Sequence, residues 1–358
     1  MIVKPSIILS LLLAVICAPG HTKQYPTVKF NADLMLDYDK FDANFLESSE
    51  EGDSQLDLRR LRFGLKSDIT KDWSAKIRVD AVDDFEIKDA YLEYDGWDVA
   101  KITIGKQKEP FGLERLMGYK DVFMIERAMI SRAISPERSY GINMSGKLHT
   151  VNWQLGYFQD DTYNKSNAVT GRLAWSPWKK DKNFIHLGAA FSERSLHDQI
   201  YRINQKLEVY GADSLIEGTS FNADSVSKKE VEFMWQYHGF VNIAEWQHSY
   251  FTASNGDSYQ YEGGYYQISY LLSGTNRKYK NGMLGGTKTS NDWEISMRYS
   301  QLSLLEENSE AKVLSMGVNY LLNDDIKFMA DYITADYLDT GEDQGSGNAI
   351  SLRVQYQF

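Results

Sequence analysis

Seven basic residues crowd one stretch of the chain: Lys106, Lys108, Arg115, Lys120, Arg127, Arg132 and Arg138. Glu109, Glu114, Asp121, Glu126 and Glu137 lie among them, so the stretch is net +2 inside a chain of net −11. Guanidinium and ammonium groups at this density suit the electrostatic holding or guiding of a small anion. Metal chemistry and covalent catalysis have no comparable basis. The six histidines, at positions 21, 149, 186, 197, 238 and 248, show no metal-ligand spacing. No nucleophile elbow of the G-x-S-x-G type is present. Gly141 to Leu148 approaches a phosphate-loop pattern but lacks its Ser or Thr and reads as a strand. Asp83-Asp84 and Asp324-Asp325 read as turn formers rather than a catalytic pair. No metal and no cofactor is expected, and the negative net charge argues against a nucleic-acid partner.

The elements that must position these bases are strands. Apolar and polar residues alternate through Phe30 to Tyr38, Trp73 to Ala81, Val151 to Tyr157, Val231 to Tyr237, Trp293 to Tyr299 and Ile350 to Phe358. Sixteen such segments are predicted, centred near residues 33, 62, 77, 90, 102, 144, 154, 172, 188, 234, 246, 267, 296, 317, 330 and 354. Their connections sort by parity. Every second one is short, as in 68–72, 95–98, 148–150, 238–239 and 323–325. Those between are often long, as in 39–54, 107–138, 193–229, 301–311 and 335–347. Short turns on one rim and long loops on the other are the asymmetry of an outer-membrane barrel.

In lipid every backbone group must pair within the structure, so a strand protein must close on itself. Aromatic residues at strand ends suit the two interfaces: Trp73, Tyr94, Trp97, Trp153, Trp175, Trp178, Trp293 and Tyr356. A charge facing lipid at mid-membrane costs about 2–4 kcal/mol. The charged faces should therefore look into the lumen, which places Arg62, Lys66, Lys76, Arg78, Arg172, Arg298 and Arg353 there. Asp80, Asp89, Glu93 and Glu294 share those faces, so ladders of ion pairs across the lumen are an equally weighted reading. The acid-rich stretches 37–57 and 331–343 fall on outer loops by parity. The long basic connection 273–291 falls on the inner rim, where Arg277, Lys278 and Lys280 could either hang free or fold back as a second basic ring.

Residues 1–20 read as a cleaved export signal: Lys4, an apolar run from Ser6 to Ala18, then a small-x-small site at Ala18-Pro19-Gly20. The single cysteine, Cys17, would leave with it, so residues 21–358 would form one domain without disulfides. No apolar run reaches the length of a membrane helix.

The segment Gly105-Lys106-Gln107-Lys108-Glu109-Pro110-Phe111-Gly112-Leu113-Glu114 resembles a signature of the phosphate-selective porin O and P family. Ala90 to Tyr94 before it, Ile125 to Arg127, Pro136 to Arg138, Tyr140 to Ile142, Leu58 to Leu65, Gly264 to Gly274 and Trp293 to Ser300 resemble that family too, in order and spacing. Phe358 resembles the terminal assembly signal of outer-membrane proteins. The resemblance implies an all-β fold, a transmembrane antiparallel barrel of sixteen strands with an infolded third loop at the constriction. It also implies a homotrimer in the outer membrane of a Gram-negative bacterium, in contact with outer-membrane lipid. The expected function is passive passage of small inorganic anions, with phosphate resting on the resemblance alone. The net acidity departs from the basic pores of the best-known members. A barrel enzyme and a secreted all-β binding protein are the alternatives.

Overall fold

A computed structural model describes residues 25–47, 51–160, 166–339 and 343–358. The leader expected at 1–20 lies outside the described residues. Twenty strands follow in chain order: β1 (Thr27–Phe41), β2 (Asp53–Asp68), β3 (Trp73–Asp80), β4 (Glu86–Tyr94), β5 (Ala100–Lys108), β6 (Arg138–Leu148), β7 (Val151–Asp160), β8 (Asn167–Lys180), β9 (Asn183–Tyr201), β10 (Asn204–Lys206), β11 (Ser214–Glu217), β12 (Phe221–Tyr237), β13 (Phe240–Ala253), β14 (Ser258–Leu271), β15 (Tyr279–Lys280), β16 (Met283–Leu284), β17 (Asp292–Leu304), β18 (Ser309–Leu321), β19 (Ile326–Asp339) and β20 (Asp343–Gln357). Sixteen of them close one antiparallel barrel, and every predicted strand is among them. The pairs β10–β11 and β15–β16 are separate two-stranded sheets within connections. The barrel shuts where β1 meets β20, from Asp33 opposite Gln357 to Phe41 opposite Ala349.

The barrel is inside out relative to a soluble core. Leu34, Leu36, Ile77, Ile142, Leu155, Leu173, Val231, Ile295, Met316 and Leu352 point outward and are exposed. Their neighbours Asp37, Arg62, Arg172, Glu232, Glu294, Arg298 and Arg353 point inward and are buried. That pattern fits a solvent that is apolar outside and wet within. Aromatic rings gather at the rim of short turns, where Trp73 lies 5.0 Å from Tyr94 and Trp293 lies 4.7 Å from Tyr320.

The loop lengths need correction. β17 and β18 are joined by only four residues, 305–308, because alternation continues past the predicted strand ends. For the same reason Asp37, Asp39, Asp57 and Asp331 are not loop residues. Asp37 and Asp39 face inward on β1, and Asp331 faces inward on β19. β9 runs for 19 residues, well beyond the 9–11 of a bare membrane strand. By contrast β3, β4 and β5 have 8, 9 and 9 residues, a low stretch of wall.

Candidate functional site

The connection 109–137 between β5 and β6 is built to be held. Two glycines shape its entry. Gly105 has φ +127°, where an added Cβ would meet the Ala90 carbonyl oxygen at 2.2 Å. Gly112 has φ +79°, with the Ser135 hydroxyl 2.4 Å from where a Cβ would sit. Between them Glu109 is buried and accepts from the hydroxyls of Ser139 and Thr170, each at 2.6 Å, and from Arg194 at 2.5 Å. Past the second glycine comes a one-turn helix, Leu113–Leu116. Its opening amides donate to Glu230 and Glu245, inward-facing carboxylates on β12 and β13, at 2.6–3.1 Å. At its other end Lys108 donates to the carbonyls of Arg115, Leu116 and Met117.

The rest of the connection is tied to the opposite wall. Ile125 donates its amide to Asp331 at 2.6 Å, and its carbonyl accepts from Arg353 at 2.6 Å. The Val122, Phe123 and Glu126 carbonyls accept from Lys327, Asn319 and Arg298. Glu126 meets Arg59 at 2.9 Å, Arg132 at 3.0 Å and Arg353 at 3.3 Å. Burial would raise its carboxyl, but these three guanidiniums hold it well below the ordinary carboxylate range. Phe111, Leu113, Met117, Phe123, Met124, Met129 and Ile130 are all buried.

Three guanidiniums converge on Tyr119. Arg60 on β2 lies 3.3 Å from its ring centroid, Arg127 lies 3.9 Å away and Arg62 lies 5.6 Å away. Arg127 also donates to the Met117 carbonyl at 2.8 Å. Among the described residues, every arginine except Arg60 and Arg127 has a carboxylate within ion-pair distance. Both are nevertheless buried, and the Nε of each lacks a hydrogen-bond partner. Burial would raise the Tyr119 hydroxyl. Arg127 and Arg60 overcome that and hold it well below the ordinary tyrosine range.

Comparison with known proteins decides the family. Residues 28–358 match the family described as phosphate-selective porin O and P. The chain belongs to that family. It is 23% identical to Porin O of Pseudomonas aeruginosa, over 92% of this chain and 88% of that protein. Among solved structures, it resembles an anion-selective porin from Comamonas acidovorans (TM-score 0.61, 11% identity, 93% of this chain and 100% of that one). It also resembles OmpT of Vibrio cholerae in its trimer form (TM-score 0.63, 13% identity, 94% and 100%). The protein is an outer-membrane porin.

In this porin the predicted basic residues divide. Arg127 joins the unmatched cluster, with Arg62 beside it bonded to Asp80 at 2.6 Å. Lys108 does not face a solute, because its three hydrogen bonds cap the short helix. Arg115 is paired with Glu137, Arg132 with Glu126 and Arg138 with Asp89. Lys106 stands in register opposite Tyr140, its ammonium 5.7 Å from that ring, and is not part of the cluster. Of the inward residues, Lys76 pairs with Asp89, Arg78 with Asp33, Arg172 with Glu232, Arg298 with Glu114 and Glu208, and Arg353 with Asp37. The ladder reading describes most of them. Lys66 is exposed and belongs to no ion pair among the described residues. Lys278 and Lys280 are exposed, but Arg277 is buried against Glu294 at 2.5 Å, so it forms no open ring with them.

Neither Arg59 nor Arg60 was singled out from the sequence, although Arg60 shares the face of Arg62. A register shift opposite Met35 and Leu36 pairs Met35 with Arg60 and Leu36 with Leu58, so Arg59 is the extra residue. Two consecutive arginines thereby reach inward groups. The signal in the sequence was the unbroken Arg59-Arg60 pair in an otherwise alternating strand.

Proposed function

We propose that this porin is a passive, water-filled channel that favours small anions, with inorganic phosphate the first solute to test. Connection 109–137 acts as an infolded loop that sets the narrowest point, and the protein works as a homotrimer. Residues 1–20 serve as a removed export signal. The observation that carries the anion reading is the Arg60–Tyr119–Arg127 cluster, in which two buried guanidiniums have no carboxylate of their own. A passing anion is the partner such groups lack, and a narrow, partly dry site strengthens its attraction. The name of the Comamonas acidovorans neighbour, an anion-selective porin, supports the same reading. The ion-paired bases sealed under the connections, such as Arg172, Arg298 and Arg353, add little to selectivity, since each is buried against its own counter-charge. No catalytic role is assigned to any residue.

The test is the reversal potential in a planar bilayer under a potassium chloride gradient. The wild type should prefer chloride, and the double variant Arg60→Glu with Arg127→Glu should shift toward potassium. A wild type that already prefers potassium would mean that the acidic residues govern the pore.

A further inference from the structure

Residues 272–291 join β14 to β17 on the rim where other turns span only a few residues. This segment does not hang below the barrel. The Arg277 backbone N–H donates to the Gln236 side-chain oxygen at 3.1 Å, and the Arg277 carbonyl accepts from the Gln236 side-chain nitrogen at 2.9 Å. Gly282 sits so close to the wall that a Cβ would meet Ala174 at 2.7 Å, and its carbonyl accepts from Arg172 at 2.8 Å. Tyr279 stacks on Phe184 at 4.2 Å and reaches His186 at 2.8 Å. These partners are inward-facing groups on β8, β9 and β12, so the segment folds back inside.

Its Arg277 side chain then reaches connection 109–137. The guanidinium pairs with Glu294 at 2.5 Å, donates to the Asp121 carbonyl at 3.3 Å and lies 4.5 Å from the Phe123 ring. Three consecutive carbonyls, those of Asp121, Val122 and Phe123, are each held by a different side chain: Arg277, Lys327 and Asn319. Lys327 and Asn319 belong to the barrel wall. Arg277 alone of the three belongs to the inner-mouth segment.

We infer that Arg277 is a positioning residue for the pore. It ties the inner-mouth segment to residues 121–123 of connection 109–137, so that the inner mouth fixes where the narrowest point lies. The inference rests on reading 109–137 as the constriction. The planar fork of arginine can serve Glu294, a carbonyl and an aromatic face together, which a lysine ammonium does not.

The experiment compares Arg277→Ala, Arg277→Lys and Lys280→Gln in planar bilayers, with heat-modifiable gel mobility to establish folding. Arg277→Ala should raise single-channel conductance about twofold and add open-channel noise, as a loosened constriction would. Arg277→Lys keeps the charge and serves as the variant least disturbing to folding. It should shift conductance in the same direction by less. Lys280→Gln removes a charge from the same segment and should leave conductance at the wild-type value. A folded Arg277→Ala or Arg277→Lys with wild-type conductance and noise overturns the inference. So does an equal effect of Lys280→Gln, because charge alone would then explain both. A cation-preferring wild type would sink the anion reading but leave this comparison of conductances intact.

Discussion

Two parts of the same barrel wall carry similar charges and use them differently. On β3 to β5 the inward side chains are partly wet: Lys76 is 26% exposed, Arg78 23% and Lys101 33%. On β8, β17 and β20 they are sealed: Arg172 and Arg298 are 1% exposed and Arg353 is fully buried. The cause is what lies over them. Connections 109–137, 202–220 and 272–291 all pack against the sealed side, where Glu208 of the second reaches Arg298 and Ser300. Alternation therefore decides only that a charge faces inward. Whether it guides a solute or anchors a loop depends on which connection covers it.

Breaking an anchor should have the largest effect. Arg353→Ala would leave Asp37 buried without its guanidinium and take one of three from Glu126, a loss of about 3–5 kcal/mol. Unfolding in urea, followed by the loss of heat-modifiable mobility, should show a markedly lower midpoint. Pairing the change with Asp37→Ala should recover part of the loss. If Arg353→Ala unfolds at the wild-type midpoint, the sealed side is not an anchor. Next in size is deletion of Met117 to Met124, which removes Tyr119 together with the segment tied to Lys327 and Asn319. Single-channel conductance should rise. Unchanged conductance in a folded barrel would remove 109–137 from the constriction.

The wet side should respond weakly in stability and measurably in selectivity. Exposed ion pairs contribute about 0–1 kcal/mol each, so Lys76→Gln and Lys101→Gln should fold as the wild type does, and so should Lys66→Gln, which breaks no ion pair among the described residues. Their effect should appear in the reversal potential and grow at low salt, where screening is weakest. A shift as large at high salt as at low would argue that these lysines act by shape.

The fold was legible because outward and inward faces differ in kind along every strand, and all sixteen predicted strands are present. The site was legible only in part. Asp37 and Asp331 were misplaced because their acid-rich stretches read as loops, although outward Leu36, Tyr38, Phe328 and Tyr332 carry the alternation past them. Arg59 was missed because it is the one extra residue in β2, which breaks the period of two there, whereas Arg60 keeps the parity of Arg62 and was simply not singled out. Whether Arg277 hangs free or folds back was left open, because a long glycine-containing connection has no period from which a direction can be read. The pairing of most lumenal bases was anticipated as a ladder, but which two would be left without carboxylates depends on contacts across the barrel, such as that between Tyr119 and Arg60.

Tyr119 offers the smallest and sharpest contrast between the two sides. Tyr119 is half-buried, which by itself would favour the neutral form, yet Arg127 and Arg60 hold its hydroxyl well below the usual tyrosine range. The sign follows from that direction. Below the folded-state value Tyr119 is neutral in both folded and unfolded chains, and the arginines add no pH-linked stability. As pH rises through that value, the phenolate forms in the folded protein alone. The added stability is complete once the unfolded tyrosine also ionises, near pH 10. The same phenolate would occupy the two guanidiniums as an internal anion and compete with a solute for them. Anion affinity, read as the saturation of conductance with phosphate concentration, should therefore fall as pH rises through the Tyr119 titration. Tyr119→Phe keeps the ring for Arg60 and Arg127 but has no hydroxyl to lose, so it should abolish both that pH dependence and one early-titrating tyrosinate absorbance band. A wild type and a Tyr119→Phe variant with the same pH profile would show that the cluster meets its anions with a neutral ring.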